Sequence, residues 1–143
     1  MNKTAIAIVL AGGVFAAALT TTVGAQATRS ANDGVYSAEQ ATKGDAVYKE
    51  QCAACHGDNL EGSGPMPPLS GKDFLSNWQG KTVGDLFEKT QTSMPATAPG
   101  TLTPEQTAQI MAFVLRTGKY PAGAMPLPDK MEELSKISID APK

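Results

Sequence analysis

Cys52-Ala53-Ala54-Cys55-His56 is the stretch on which the reading of this sequence turns. The 143-residue chain has two cysteines and one histidine, and all three fall in these five positions. On a helical turn, residues i, i+3 and i+4 share a face, so both thiols and the imidazole project together. Cys-x-x-Cys-His is the pattern of a covalent haem attachment site. Its thiols reach the two vinyl groups along a porphyrin edge, and the neutral imidazole of His56 supplies one axial nitrogen to iron. Three other readings compete. A redox disulfide needs a thioredoxin-type βαβ setting, and the sequence lacks one. A zinc site needs further nitrogen or sulfur ligands, and none remain. A structural disulfide across Cys-x-x-Cys closes a small, strained loop.

Outward from the motif, the chain reads as helices separated by long loops. Ser37-Ala38-Glu39-Gln40 is a capping box, in which the Ser37 hydroxyl takes an early amide and Gln40 reaches back. The helix it opens is expected from Ala38 to about Cys52–Ala54, with Gly44 inside it for a packing reason. Residues 57–72 carry Gly62, Gly64, Pro65, Pro67, Pro68 and Gly71, a density that no helix or central strand survives. A loop of that length needs something to wrap. Asp73 is the expected cap of a short helix through Phe74, Leu75 and Trp78. Thr82-Val83-Gly84-Asp85 opens another, which stops before Pro95. Thr103-Pro104-Glu105-Gln106 is the clearest helix start, with Pro104 at the first position and Gly118 at the end. A last short helix holds Met131 and Leu134. Neither repeats nor alternating strand patterns are present. The expectation is an all-α domain of three to five helices, with long Gly/Pro-rich loops around one covalently bound haem and few aliphatics of its own for a core.

The N-terminus reads as an address. Asn2-Lys3 precedes an uncharged stretch, Thr4 to Leu19, and then small residues, in the order of a secretory signal. Cleavage after Ala25 or Ala27 satisfies the small-x-small rule. The alternative is a retained anchor, but the strongly apolar core from Ala5 to Leu19 is short of the roughly 20 residues a bilayer demands. This divides the chain into a signal at 1–27, a polar lead-in at 28–36 and the haem domain at 37–143. In a Gram-negative bacterium the destination is the periplasm, with no stable membrane insertion after cleavage. Charged residues make up 18% of the chain and the net charge is −2. A nucleic-acid binder is normally basic, so that class is set aside.

With His56 as the single histidine, the sixth ligand of the iron is Met, Lys, water or nothing. Of the six methionines, Met1 leaves with the signal, Met111 lies inside a helix, and Met125 and Met131 follow the last long helix. Met66 sits in the loop on the His56 side, within chain reach. Met94 is the best candidate. It follows a helix, Pro95 restricts its backbone to an extended form, and Pro99-Gly100 makes a turn beyond it. A neutral thioether favours the ferrous state, so His/Met ligation raises the potential and leaves no open position on iron.

The sequence also resembles a known family, the class I c-type cytochromes, over about residues 38–137. The text that carries the resemblance begins Gly44-x-x-x-Tyr48-x-x-x-Cys52-x-x-Cys55-His56-Gly57. It continues with Asn59-Leu60-Glu61-Gly62, Pro67-Pro68-Leu69-x-Gly71, Trp78, Asp85-Leu86, Met94-Pro95, Pro99-Gly100-x-Leu102 and Ala112-Phe113-x-Leu115. Within that family it is most similar to small bacterial cytochromes, or fused cytochrome domains, that serve pyrroloquinoline-quinone alcohol dehydrogenases. The resemblance aligns the family's axial methionine with Met94. It implies that the carbonyl of Pro67, or else Pro68, accepts the outer N–H of His56. It also implies that Gly44 and Tyr48 meet Ile110 and Phe113. Trp78 is either a donor to a haem propionate or a core tryptophan, and the roles of Arg116 and the lysines toward propionates stay open. The tail from Met125 to Lys143 is expected as a packing strap over the haem.

Taken together, these readings imply a periplasmic monohaem carrier of single electrons with cofactor contacts at Cys52, Cys55, His56, Met94, Pro67 and Trp78. The resemblance implies a quinoprotein alcohol dehydrogenase as donor and an oxidase or another cytochrome as acceptor. Two alternatives stand beside it: a haem enzyme with an open iron site, and a Cys-x-x-Cys thiol oxidoreductase.

Overall fold

Hydroxyl side chains start three of the main helices in the computed structural model, which describes residues 27–143. The expected signal segment lies outside the described residues except for Ala27. Ser37 Oγ accepts from Gln40 N at 3.2 Å and opens α1, Ala38–Gln51. Thr82 and Asp85 form a reciprocal capping box that opens α4, Val83–Ser93. Thr103 and Gln106 do the same for α5, Pro104–Thr117. Between these lie α2, Ala53–His56, and α3, Gly71–Trp78, and α6, Met131–Leu134, follows. Each box satisfies two amides that a helix start otherwise leaves unpaired.

Three local expectations are corrected, and one is filled in. The box at Ser37 is only half formed, because the Gln40 amide turns away to pair both backbone groups of Leu127, at 2.7 and 2.9 Å. Leu127 is buried, and its N–H and C=O need partners there. The third helix starts after Ser70, which makes no side-chain cap bond, rather than after Asp73, so Asp73 lies in the first turn, where its charge suits the positive end of the helix. The first helix breaks at Cys52, whose φ of −128° leaves the helical range, and a separate turn of helix carries the motif. α5 ends at Gly118 as expected, and the next residue, Lys119, takes the left-handed position at φ 70°. Its N–H reaches Arg116 O and that of Tyr120 reaches Leu115 O, the paired bonds of a Schellman end.

α1 and α5 cross face to face. A Cβ at Gly44 would strike the backbone carbonyl of Gln109, so glycine is what lets the helices approach. Tyr48 packs on Phe113 at 5.0 Å between ring centroids. Arg116 lies over the Phe113 ring, pairs with Asp45 at 3.6 Å and donates to Thr42 at 3.2 Å, which closes the outer edge of the crossing.

Both ends of the described chain feed the core. Ala31, Val35 and Tyr36 of the lead-in are buried, as are Leu127, Leu134, Ile137 and Ile139 of the tail. Two short strands, β1 (Arg29–Ser30) and β2 (Ile137–Ser138), pair in parallel. They are too short for an alternating pattern to show in sequence. These segments supply the aliphatics that the helices alone lack, so the protein core is continuous. The bonds and packing of the tail run to the lead-in, α1, the residues after α3, α4, and Tyr120 after α5. Ser135 sits against Gly84, and Ile139 exchanges backbone bonds with Gly80 and Lys81. Among the described residues, no helix is long and apolar enough to cross a membrane.

Candidate functional site

The break at Cys52 aims the motif. Cys52 N still bonds Tyr48 O at 2.8 Å, which holds the turn to the end of α1. Cys52 O then accepts from Cys55 N at 3.1 Å and His56 N at 3.0 Å, so the three chemical side chains share one tight turn. Both cysteines are free thiols, Cys52 half-buried and Cys55 exposed. Burial, with Cys55 beside it, pushes the Cys52 thiol up to about 11. Among the described residues, no group of three His, Cys, Asp or Glu side chains is placed to hold a bare metal ion.

His56 is buried, and its Nδ1 lies 2.9 Å from the carbonyl oxygen of Pro67. A carbonyl oxygen only accepts, so Nδ1 carries the proton in this bond. The lone pair is therefore on Nε2, the nitrogen left to bind a metal. Such an outer bond fixes the tautomer and orients the ring. Pro67, not Pro68, is the acceptor.

The loop that delivers Pro67 is closed on itself and on His56. Gly62 N donates to His56 O at 2.8 Å, and Leu69 N donates to Leu60 O at 2.9 Å. Ser63 and Met66 exchange backbone bonds at 2.9 and 3.1 Å across the loop tip. Gly57, at φ 79°, leaves a space filled by the Glu61 carboxylate, which accepts from Asn59 N at 2.7 Å. The buried Tyr48 hydroxyl donates to Gly57 O at 2.6 Å and braces the residue after His56. Burial, then the nearby Cys52, Glu61 and Asp58, raises the Tyr48 phenol far above its ordinary value.

Met94 and Trp78 stand on other elements, and among the described residues no hydrogen bond joins either to the Cys52–His56 turn. Met94 caps the C-terminus of α4, half-buried, with the extended backbone expected before a proline (φ −124°, ψ 151°). Pro95 O then accepts from Ala98 N at 2.9 Å, and Gly100 turns the chain at φ 76°. Trp78 stacks on Phe74 at 6.3 Å, with Lys81 Nζ 4.8 Å from its ring centre. Arg116 is engaged at the helix crossing rather than at the motif. Half-buried Val47, Cys52, Ala53, Leu69, Leu75 and Trp78 border the core.

Sequence reasoning treated Tyr48 and Gly62 as packing and loop residues. Their bonds to Gly57 and His56 depend on how the loop folds back, and only the density of glycines after the motif hinted at close backbone approach.

The family described as cytochrome c oxidase, cbb3-type, subunit III matches residues 39–114, just over half of the chain. The solved structure of the sulfane dehydrogenase SoxCD from Paracoccus pantotrophus is similar over 76% of this chain and 62% of that chain, with 22% identity and a TM-score of 0.49. This chain thus spans less than two thirds of that one. No curated protein matches the sequence. From the extent of the family match, which takes in the whole Cys-x-x-Cys-His turn, the Pro67 loop and Met94, the chain belongs to the cbb3-type subunit III family of c-type cytochromes.

Proposed function

We propose that this protein is an exported carrier of single electrons, in which Cys52, Cys55 and His56 hold one haem c and Met94 supplies the sixth ligand. Covalently attached haem c is the cofactor of the family. When bound, it supplies a reversible one-electron couple at iron.

The residues present fit such a group. Two free thiols and an imidazole leave one turn together. The observation that carries the reading is the bond from His56 Nδ1 to Pro67 O, which leaves Nε2 unprotonated and held in place. Leu69, Leu75 and Trp78, half-buried at the edge of the core, offer apolar surface to a flat ligand. Met94, at the start of a turn-closed loop after α4, offers a neutral thioether on a constrained backbone. Trp78 is proposed as a donor to a propionate. The chain's own work is to fix these groups, to keep His56 in one tautomer, and to exclude water from the imidazole.

The same observations speak against the alternatives. A thiol oxidoreductase needs a thioredoxin-type βαβ setting, whereas the described residues form helices and one two-stranded pairing. A haem enzyme needs an open position on iron, which Met94 as the proposed sixth ligand would fill. We place the protein in the periplasm, delivered by residues 1–27 and free of the membrane after cleavage. The sequence resemblance supports a quinoprotein alcohol dehydrogenase as donor. An oxidase as acceptor is in keeping with the oxidase named in the family's description, and another cytochrome would serve equally. Contacts with either are weak and brief, as redox encounters are.

The test is the absorption spectrum of purified protein, oxidised and reduced at neutral pH, with added cyanide or carbon monoxide. A carrier shows six-coordinate spectra in both states and takes up the added ligands slowly. Fast, stoichiometric uptake would make it an enzyme. Reduction by a quinoprotein alcohol dehydrogenase turning over alcohol tests the donor separately.

A further inference from the structure

Gly62 sits where two bonds to His56 meet. Its N–H donates to His56 O at 2.8 Å, so it is tied to the backbone of the histidine. Four to six residues later the chain passes directly over it. A Cβ built at position 62 would lie 2.6 Å from Met66 O, 2.8 Å from Pro68 N and 3.0 Å from the carbonyl carbon of Pro67. Those distances are all to backbone, which has no side-chain torsion to yield. The atom just beyond that carbonyl carbon is the oxygen that accepts from His56 Nδ1. The Ser63–Met66 bonds lock the tip of the same loop, so a push at Gly62 is passed to the 66–68 segment rather than absorbed at the tip.

We propose that Gly62 is a positioning residue for His56: the missing side chain at 62 allows the Pro67 carbonyl to close on the imidazole, and so sets how strongly that ring donates to iron. The inference rests on the assignment of His56 as the axial ligand. An imidazole that donates its outer N–H to a carbonyl is a more basic ligand. A more basic ligand stabilises the ferric state and lowers the potential. Lengthening the Nδ1–Pro67 bond therefore raises the midpoint potential and exposes the Nδ1 proton to exchange.

A control is built into the loop. Gly64 also has positive φ, at 55°, but a Cβ there meets nothing within 4 Å. Gly64→Ala carries backbone strain in the same loop without the collision. Gly62→Ala carries both. Gly62→Asn keeps the collision with less strain, because Asn tolerates positive φ better than Ala.

The experiment compares the haem-loaded wild type and these three variants by redox titration and by NMR exchange of the His56 Nδ1 proton. The expected result is a raised midpoint and faster exchange in Gly62→Ala and Gly62→Asn, with both quantities unchanged in Gly64→Ala. Equal shifts at 62 and 64, or no shift at 62, overturn the inference. Loss of folded protein in both position-62 variants also overturns it, because Gly62 would then hold the fold and not the ring. A wild type without bound haem contradicts instead the assignment of the site on which the inference rests.

Discussion

His56 shows how much one hydrogen bond decides. With Pro67 O accepting from Nδ1, the ring has one tautomer and one free nitrogen. That histidine could be picked out in the sequence because it stands alone beside two cysteines. The identity of its acceptor was narrowed to Pro67 or Pro68 by resemblance, and the loop geometry chooses between them. Two residue-scale predictions follow from the same neighbourhood. Replacing Met94 by alanine removes the thioether, so the sixth position opens and the midpoint potential falls. Visible spectra and redox titration check this, and an unchanged ligand-field spectrum would remove Met94 from the site. Tyr48→Phe deletes only the hydroxyl that donates to Gly57 O, whose other backbone partner, Leu60 N, is distant at 3.4 Å. The loss is about 1–3 kcal/mol, the range for leaving a buried polar group poorly paired. Denaturant unfolding of the loaded protein measures it, and the haem should remain attached.

At the scale of elements, the helix starts were readable because capping chemistry is local. Thr82/Asp85 and Thr103/Gln106 close their boxes within four residues. One box failed because a distant group outcompeted a local one. Gln40 left its box because Leu127, far along the chain, needed both backbone partners. The α1–α5 crossing depends on Gly44. Gly44→Ala sets a methyl against the Gln109 carbonyl, and overpacking of this kind costs about 1–3 kcal/mol. Thermal unfolding of the loaded protein should show a lowered midpoint. A variant as stable as wild type would mean that the helices separate freely.

For the whole molecule, the least legible feature was how its two ends meet. The lead-in reads as polar and the tail as a strap, yet together they form a small parallel pairing and much of the apolar interior. No periodicity marks two-residue strands, and their partners are over a hundred residues apart. A carboxylate clamps this junction: Asp140 accepts from Ser30 at 2.6 Å and Ser138 at 2.7 Å. These hydroxyl bonds hold its pKa below the ordinary carboxylate value, 3.8. A group depressed by folding adds stability that is complete above its unfolded pKa and fades as pH falls through its folded pKa. Asp140→Asn should therefore lower the thermal midpoint near neutrality, and the gap from wild type should shrink in acid. A gap independent of pH would show that the clamp is not ionic.

All of this serves the arrangement proposed above, a haem joined by covalent bonds to the turn that follows the first helix. The most direct measurement is the mass of the exported protein, purified from cells able to mature c-type cytochromes and unfolded in denaturant. The account predicts a coloured polypeptide heavier than its chain by one haem, with the added mass on the peptide containing Cys52 and Cys55. A colourless chain of unmodified mass would contradict it.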